Sequence, residues 1–305
     1  MSNRRTFLQQ SGMAALAAMV SPSLISSALA GTMERAKISK VGIQLYTLRD
    51  LLQKDVSSVI PKLAQLGYKQ VETFYGYDAK NAAKGFWGLD AKEFKTLLDT
   101  NGITSPSGHY NESVFLTEGG GTDVLKNHIE VAATVGQKYL TIPSIPGDHH
   151  KAASADFYKK IAAKFNEAGQ LAKAQGLKLA YHNHNFEFGD LGGGVTPYEI
   201  FLTETDPSLV SFELDLFWAV NAGLNPIDMF KKHPGRFKMW HVKDMDKADK
   251  SVFTEVGTGS INFKEIFSNA KTSGLEYIFV EQDVIKIEPY KSVGQSIDYI
   301  KKSLL

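Results

Sequence analysis

The sequence predicts an α/β protein, and specifically a parallel eight-stranded (β/α)8 TIM barrel. From Lys40 onward, short apolar segments alternate with amphipathic stretches of helical period, and several of these stretches end in glycine. Such glycines are typical of the left-handed position just past a helix end. Regular alternation of strands and helices favours a parallel sheet with right-handed crossovers. Eight such units over about 260 residues fit a closed barrel.

Eight segments have the length and apolar content of buried strands. An open, doubly wound sheet is the alternative, but no G-x-G-x-x-G motif follows the first strand. The glycine runs at 119–123 and 191–196 also lack the lysine of a phosphate-binding loop. The predicted strands are 41–46, 70–75, 103–108, 138–143, 177–182, 210–215, 237–242 and 277–282.

Composition excludes several classes of function. The 305 residues include 34 basic and 33 acidic side chains, for a formal net charge of +1, which argues against nucleic acid as a partner. The chain has no cysteine, so disulfides, thiolate metal sites and cysteine nucleophiles are excluded. The sequence is compatible with a homo-oligomer but does not specify one.

Residues 1–30 are expected to form an export signal, which leaves residues 31–305 as a single barrel domain. Arg4 and Arg5 precede an apolar segment, and Ala28 and Ala30 have the small-residue spacing of a cleavage site. The segment resembles a twin-arginine signal more than an ordinary secretory one. Its apolar run is short for a membrane span, so we expect a periplasmic protein without a stable membrane anchor.

Four successive predicted strands, the fifth to the eighth, end in histidine or carboxylate side chains. In a barrel of this type, the C-terminal ends of the strands meet at one face, where active sites lie. Imidazole and carboxylate ligands together suit Mn²⁺, Co²⁺, Zn²⁺ or Mg²⁺ and do not select among these ions. The residues concerned are His182, His184, Glu187, Asp215, His241 and Glu281.

Each of these residues taken alone has a structural explanation. Asp215 suits the N-cap of the following helix, and His241 could simply donate hydrogen bonds inside the barrel. The repetition in four successive units is what predicts a metal site.

The segments that carry this pattern resemble the xylose isomerase-like barrels, and within them the sugar phosphate isomerase/epimerase family. They are "GIQLYTLRD", "GLKLAYHNHNFEF", "ELDLFWA", "WHVKD", "VGTGSINFKEIF" and "FVEQD". The resemblance implies one divalent metal ion, with Mn²⁺ most expected, held by Glu, Asp, His and Glu. Asp215, His241 and Glu281 match the last three ligands.

The first ligand is where this chain departs from the family. Many sugar epimerases of the group have a glutamate six residues after the glycine that precedes the fifth strand. Here that glycine is Gly176, and the position is His182. We expect Glu187 to reach the metal as the first ligand, with His184 or His182 as the alternative.

The resemblance implies a sugar isomerase or epimerase that acts through a metal-stabilised enediolate, with Glu187 and Glu281 on the two faces of the sugar. The histidines suggest an alternative, in which the same intermediate expels a group β to the carbonyl. The enzyme would then be a dehydratase, as in the related inosose dehydratases, or a lyase on a 3-keto-glycoside. His109, His182 or His184 would protonate the leaving group.

The expected substrate is a small sugar or glycoside, because an exported enzyme meets few phosphorylated metabolites. A metal-dependent hydrolase, such as the DNA-repair endonuclease that shares this barrel type, and a non-catalytic sugar-binding protein are rival interpretations. Lys243 follows His241 by two residues and is expected to face the same way. The predicted substrate contacts are Tyr46, His109, His182, His184, Trp218 and Lys243.

Overall fold

The computed structural model describes residues 38–75, 84–146 and 154–305. The predicted export signal, residues 1–30, and the start of the predicted domain lie outside these residues. They therefore stay predictions.

Eight parallel strands close into a barrel in which each strand pairs with its neighbours in sequence and β1 pairs with β8. The predicted fold is confirmed, and each predicted strand overlaps an observed one. The first strand is shorter than predicted because Leu45–Leu48 turn into a 3-10 helix. The strands are β1 Gly42–Gln44, β2 Gln70–Tyr75, β3 Thr104–Tyr110, β4 Tyr139–Ile142, β5 Lys178–His182, β6 Val210–Asp215, β7 Phe237–Val242 and β8 Tyr277–Val280.

Helices connect the strands and pack their apolar faces against the outside of the barrel. In the described part of the chain, no helix combines the length and the apolar content that a membrane span requires. A second 3-10 turn, Phe186–Phe188, follows β5. The helices are α1 Arg49–Leu66, α2 Ala91–Thr100, α3 Ser113–Leu116, α4 Asp123–Val135, α5 Ala155–Ala174, α6 Pro197–Glu204, α7 Leu216–Asn221, α8 Pro226–Lys232, α9 Phe263–Ser268, α10 Ala270–Ser273 and α11 Pro289–Ser303.

The inside of the barrel changes from apolar to polar along its axis. Tyr139, Ala180, Met239 and Phe279 form a separate apolar cluster, in which Ala180, Met239 and Phe279 precede His182, His241 and Glu281 by two residues. Later positions on the strands carry the charged groups, and the register aligns them: His182 pairs with Glu213, and Asp215 pairs with His241. Pairing in register therefore brings side chains distant in sequence to one end of the barrel.

The connection between β7 and β8 contains an inserted loop. It begins with a small antiparallel pair, Asp244–Met245 with Phe253–Thr254. The buried Asp244 carboxylate accepts four backbone N–H bonds, from Met245, Gly257, Gly259 and Ile261, at 2.8–3.2 Å. One side chain thus holds the loop against the end of β7, directly after Lys243.

We expect Asp244→Ala to lower the free energy of unfolding by about 3 kcal/mol, because four backbone donors, of which those of Met245 and Ile261 are buried, lose a charged acceptor. Urea denaturation followed by circular dichroism measures the change. Asp298→Ala is the control, since it removes an exposed carboxylate that pairs only with Lys302 on α11. Equal stability of the two variants would contradict the role given to Asp244.

Candidate metal centre and active site

A cavity of about 280 Å³ opens at the C-terminal end of the barrel strands. Beside six of the predicted site residues, its walls include Phe74, Pro143 and Ser144. They also include Asp283, an acidic residue that the sequence did not suggest. Trp218 is not part of the wall, but its ring lies 5.5 Å from Lys243 Nζ and 6.1 Å from the ring of His184. Six of the predicted site residues line the cavity: Tyr46, His109, His182, His184, Lys243 and Glu281.

Four buried residues at the ends of successive strands form a group with the geometry of a metal site. His182, Asp215, His241 and Glu281 each offer one ligand atom, and these atoms all lie within 4.8 Å of one another. The group combines two imidazole nitrogens with two carboxylate oxygens, which suits a divalent transition ion. We call these four residues the upper group.

Asp215 shows why the upper group fits a cation. Its Oδ1 accepts the backbone N–H of Trp218 at 3.0 Å and caps α7, as one interpretation of the sequence expected. Its Oδ2 is buried without a hydrogen-bond partner among the described residues. Burial raises the pKa of Asp215 to about 7; neighbouring Glu281 adds to the rise and Lys243 opposes it. A divalent ion beside Oδ2 would supply the missing partner and the missing positive charge.

Two glutamates that the sequence reasoning missed lie deeper in the barrel. Glu72 of β2 and Glu213 of β6 are both fully buried. The Oε2 atom of Glu213 lies 2.8 Å from His109 Nε2, 3.1 Å from His241 Nε2 and 3.2 Å from His182 Nδ1. We call His109, His182, Glu213 and His241 the lower group, since their ligand atoms also lie within 4.8 Å of one another.

Glu72 and Glu213 orient the histidines of the upper group. His241 Nε2 lies 2.6 Å from Glu72 Oε2, while its Nδ1 lies 2.9 Å from Glu281 Oε2. A carboxylate on one ring nitrogen fixes the ring and leaves the other nitrogen for a metal. Burial would lower the pKa of His109, but attraction to Glu72 and the hydrogen bond to Glu213 raise it to about 9. Burial would raise the pKa of Glu72, but His109 and His241 hold it well below its usual value.

A signal for these glutamates was present in the sequence. Glu213 precedes Asp215 by two residues on β6, and alternate strand residues share a face. Glu72 interrupts the otherwise uncharged strand "QVETFY", where a buried carboxylate needs a partner.

Glu187, which we expected as the first metal ligand, lies outside both groups. Its Oε1 accepts a hydrogen bond from the Tyr181 hydroxyl at 2.6 Å, and its Oε2 accepts the backbone N–H of His184 at 2.9 Å. Burial raises its pKa to about 8. The reason is local: the strand ends at His182, and the turn that follows directs Glu187 away from the barrel axis. His182 therefore lies where the first ligand was expected, and the geometry does not favour Glu187 or His184 for that role.

Lys243 and His184 stand beside the upper group. Lys243 Nζ donates hydrogen bonds to Glu281 Oε2 at 3.0 Å and Asp283 Oδ2 at 2.7 Å, and lies 3.6 Å from Asp215 Oδ2. The ring of His184 meets that of His182 edge-on at 5.1 Å. Burial, with Lys243 adding to the effect, lowers the pKa of His184 to about 4. The neutral His184 ring thus faces the cavity beside a buried ammonium.

The model of the xylose isomerase-like TIM barrel family matches residues 60–303. The chain belongs to this family. A match over most of the described barrel agrees with the observed strand order and with the position of the site at the strand ends.

Curated relatives include inosose dehydratases. The protein from Clostridium botulinum is 30% identical over 188 residues, which are 54% of this chain and 60% of the relative. The protein from Geobacillus thermodenitrificans is 27% identical over 250 residues, 70% of this chain and 81% of the relative. The chain therefore spans less than two thirds of the length of the first of these relatives.

Solved structures agree with the fold. A sugar phosphate isomerase/epimerase from Parabacteroides distasonis is 28% identical with a TM-score of 0.76, covering 88% of this chain and 96% of that one. The IOLI protein, solved with a zinc atom, has a TM-score of 0.69 at 17% identity and covers 86% of this chain and 97% of that one. The relatives thus include proteins named as dehydratases and proteins named as isomerases or epimerases.

We expect Asp215→Ala to abolish binding of Mn²⁺ or Zn²⁺, because it removes a buried ligand oxygen that has no hydrogen-bond partner among the described residues. Glu187→Gln is the matched comparison, since it changes a buried carboxylate outside both groups and should keep the full metal content. Elemental analysis of the purified variants measures the metal. Full occupancy in Asp215→Ala would refute the upper group, and loss of metal in Glu187→Gln would restore Glu187 as a ligand.

Proposed function

We propose that this protein is a metal-dependent lyase that removes an oxygen substituent β to the ring ketone of a sugar. The observation that carries the proposal is the position of Glu187. Its two oxygens bind Tyr181 and the backbone of His184, so the described residues that line the cavity include one glutamate, Glu281, together with three histidines.

This set of side chains suits elimination better than epimerisation. Epimerisation at a carbon next to a carbonyl requires proton transfer on both faces of the sugar, which the family's epimerases perform with two metal-binding glutamates. Elimination instead requires one base for the carbon-bound proton and one acid for the departing oxygen. The cavity histidines can fill both positions without a second glutamate.

The upper group would hold the metal ion, through His182, Asp215, His241 and Glu281. A divalent ion bound there supplies a Lewis acid that polarises the ketone of the substrate. The identity of the ion is part of the proposal, with Mn²⁺ and Zn²⁺ as the first candidates. The IOLI protein, which has the same fold, was solved with a zinc atom, and this supports a divalent ion as the cofactor.

The remaining side chains handle protons and position the sugar. A base of the cavity, His184 or Glu281, takes the proton from the carbon next to the ketone, and the electrons of that C–H bond form a C=C bond. The C–O bond at the β carbon breaks, its electrons leave with the oxygen, and His109 supplies the proton that the oxygen gains. Lys243 holds a substrate oxygen, and Tyr46 packs along the sugar ring.

The names of the relatives support elimination, since a dehydratase removes water from its substrate. The predicted export favours substrates found outside the cytoplasm. A 3-keto-glycoside is such a substrate, and its glycosidic oxygen lies β to the ketone. We therefore take it as the test compound.

A sugar isomerase or epimerase is the second candidate. The name of the Parabacteroides distasonis relative favours it, and Glu281 could serve one face of the sugar while a histidine serves the other. Both reactions share the first proton abstraction, so only the products distinguish them.

We expect the metal-loaded protein to release the aglycone from a 3-keto-glucoside, as followed by proton NMR. Free ketoses are the comparison substrates, since they lack the glycosidic leaving group. His109→Gln should slow release at least about 100-fold, because a general acid contributes about that much. Glu187→Gln, outside the cavity wall, serves as the control for folding.

Interconversion of the free ketoses without aglycone release would replace the lyase with the epimerase. Turnover that persists after metal removal and in Asp215→Ala would contradict both candidates.

A further inference from the structure

The ammonium group of Lys243 lies against two carboxylates of the upper group. Its Nζ is 3.0 Å from Glu281 Oε2 and 3.6 Å from Asp215 Oδ2, and the side chain is 2% exposed. These are two of the oxygens that the proposed metal ion would use. A lysine cation and a divalent cation therefore share the same negative charges at short range.

A third carboxylate, Asp283, draws the ammonium toward the cavity. Asp283 Oδ2 makes the shortest of the three contacts, at 2.7 Å, and Asp283 belongs to neither the upper nor the lower group. The rings of Phe253 and Trp218 also lie near Nζ, with centroids at 4.8 and 5.5 Å, and their faces attract a cation. Lys243 thus has stabilising contacts besides those with the carboxylates of the upper group.

From these contacts we infer that Lys243 competes with the metal ion and that Asp283 limits this competition. The inference rests on the upper group as the metal site of the proposed function. Lys243 neutralises Asp215 and Glu281 when the metal is absent, and its positive charge repels the metal when the metal is present. Asp283 and the two aromatic rings hold the ammonium beside the ion, where it can bind a substrate oxygen. Asp283 is a positioning residue that acts through Lys243.

The competition predicts an uncommon result, namely that loss of a buried, hydrogen-bonded lysine improves metal binding. Lys243→Met should bind Mn²⁺ about tenfold or more tightly than the unchanged protein, because the repelling charge is gone while the ligands remain. Lys243→Arg keeps the charge and should stay close to the unchanged protein. Lys247→Met, an exposed lysine of the same loop, should have no effect.

Asp283→Asn tests the second half of the inference. Without this carboxylate the ammonium shifts its interaction to Asp215 and Glu281, so Mn²⁺ binding should weaken. Asp283→Asn should lower the Mn²⁺ affinity clearly less when Lys243→Met is already present, because Asp283 then has no lysine to hold. Non-additivity of this kind identifies residues that act through one another.

Isothermal titration of Mn²⁺ into the metal-stripped proteins measures these affinities, and Zn²⁺ serves as a second probe. If Lys243→Met does not stay folded without metal, its affinity is obtained from the metal-loaded protein by competition with a chelator. Turnover is measured separately, and Lys243→Met should bind metal more tightly yet react more slowly.

The outcomes separate this inference from the proposed function. Unchanged or weaker Mn²⁺ binding by Lys243→Met, with normal binding by the unchanged protein, would overturn the competition. If Asp283→Asn lowers the Mn²⁺ affinity equally with and without Lys243, the role of Asp283 as the positioning residue is overturned. An unchanged protein that binds no divalent ion, or keeps full binding in Asp215→Ala, would instead overturn the metal site itself.

Discussion

The site depends on the compensation of buried negative charge. Five carboxylates meet inside one end of the barrel, and all but Asp283 are nearly or completely removed from water. Burying a carboxylate is costly unless a cation or several hydrogen bonds accompany it. The compensating groups are three histidines and one lysine. The carboxylates are Glu72, Glu213, Asp215, Glu281 and Asp283.

Histidine nitrogens compensate the lower part of this network, although Glu72 Oε1 and Glu213 Oε1 are, like Asp215 Oδ2, buried without a hydrogen-bond partner among the described residues. Glu72 and Glu213 each have an oxygen in contact with histidine nitrogens. Asp215 keeps one buried oxygen without a hydrogen bond among the described residues, and its raised pKa reflects that imbalance. The Lys243 ammonium lies 3.6 Å from this Asp215 oxygen, and a divalent ion bound there would add to that compensation.

Much of the fold and part of the site could be predicted because regular structure has regular spacing. Strand and helix periods located all eight strands, and strand ends located Asp215, His241 and Glu281. Glu187, which was expected as the first ligand, lies outside both groups, because the alternation of side chains stops where β5 ends and the turn after His182 has its own geometry. Glu72 and Glu213 were missed because a single acid within an apolar strand becomes meaningful only when the opposite strands are known. Asp283 follows β8 in a loop, where sequence gives no direction for a side chain.

Hydrogen bonds across the barrel make the first and second halves of the chain depend on each other. The upper group comes entirely from β5 to β8, whereas Glu72 and His109 come from β2 and β3. Glu72 reaches His241 and His109 reaches Glu213, so each half of the chain completes the other half's site. The two halves are therefore not interchangeable modules. A fragment that contains only the last four strands would possess every residue of the upper group yet lack Glu72, which contacts His241 Nε2 at 2.6 Å.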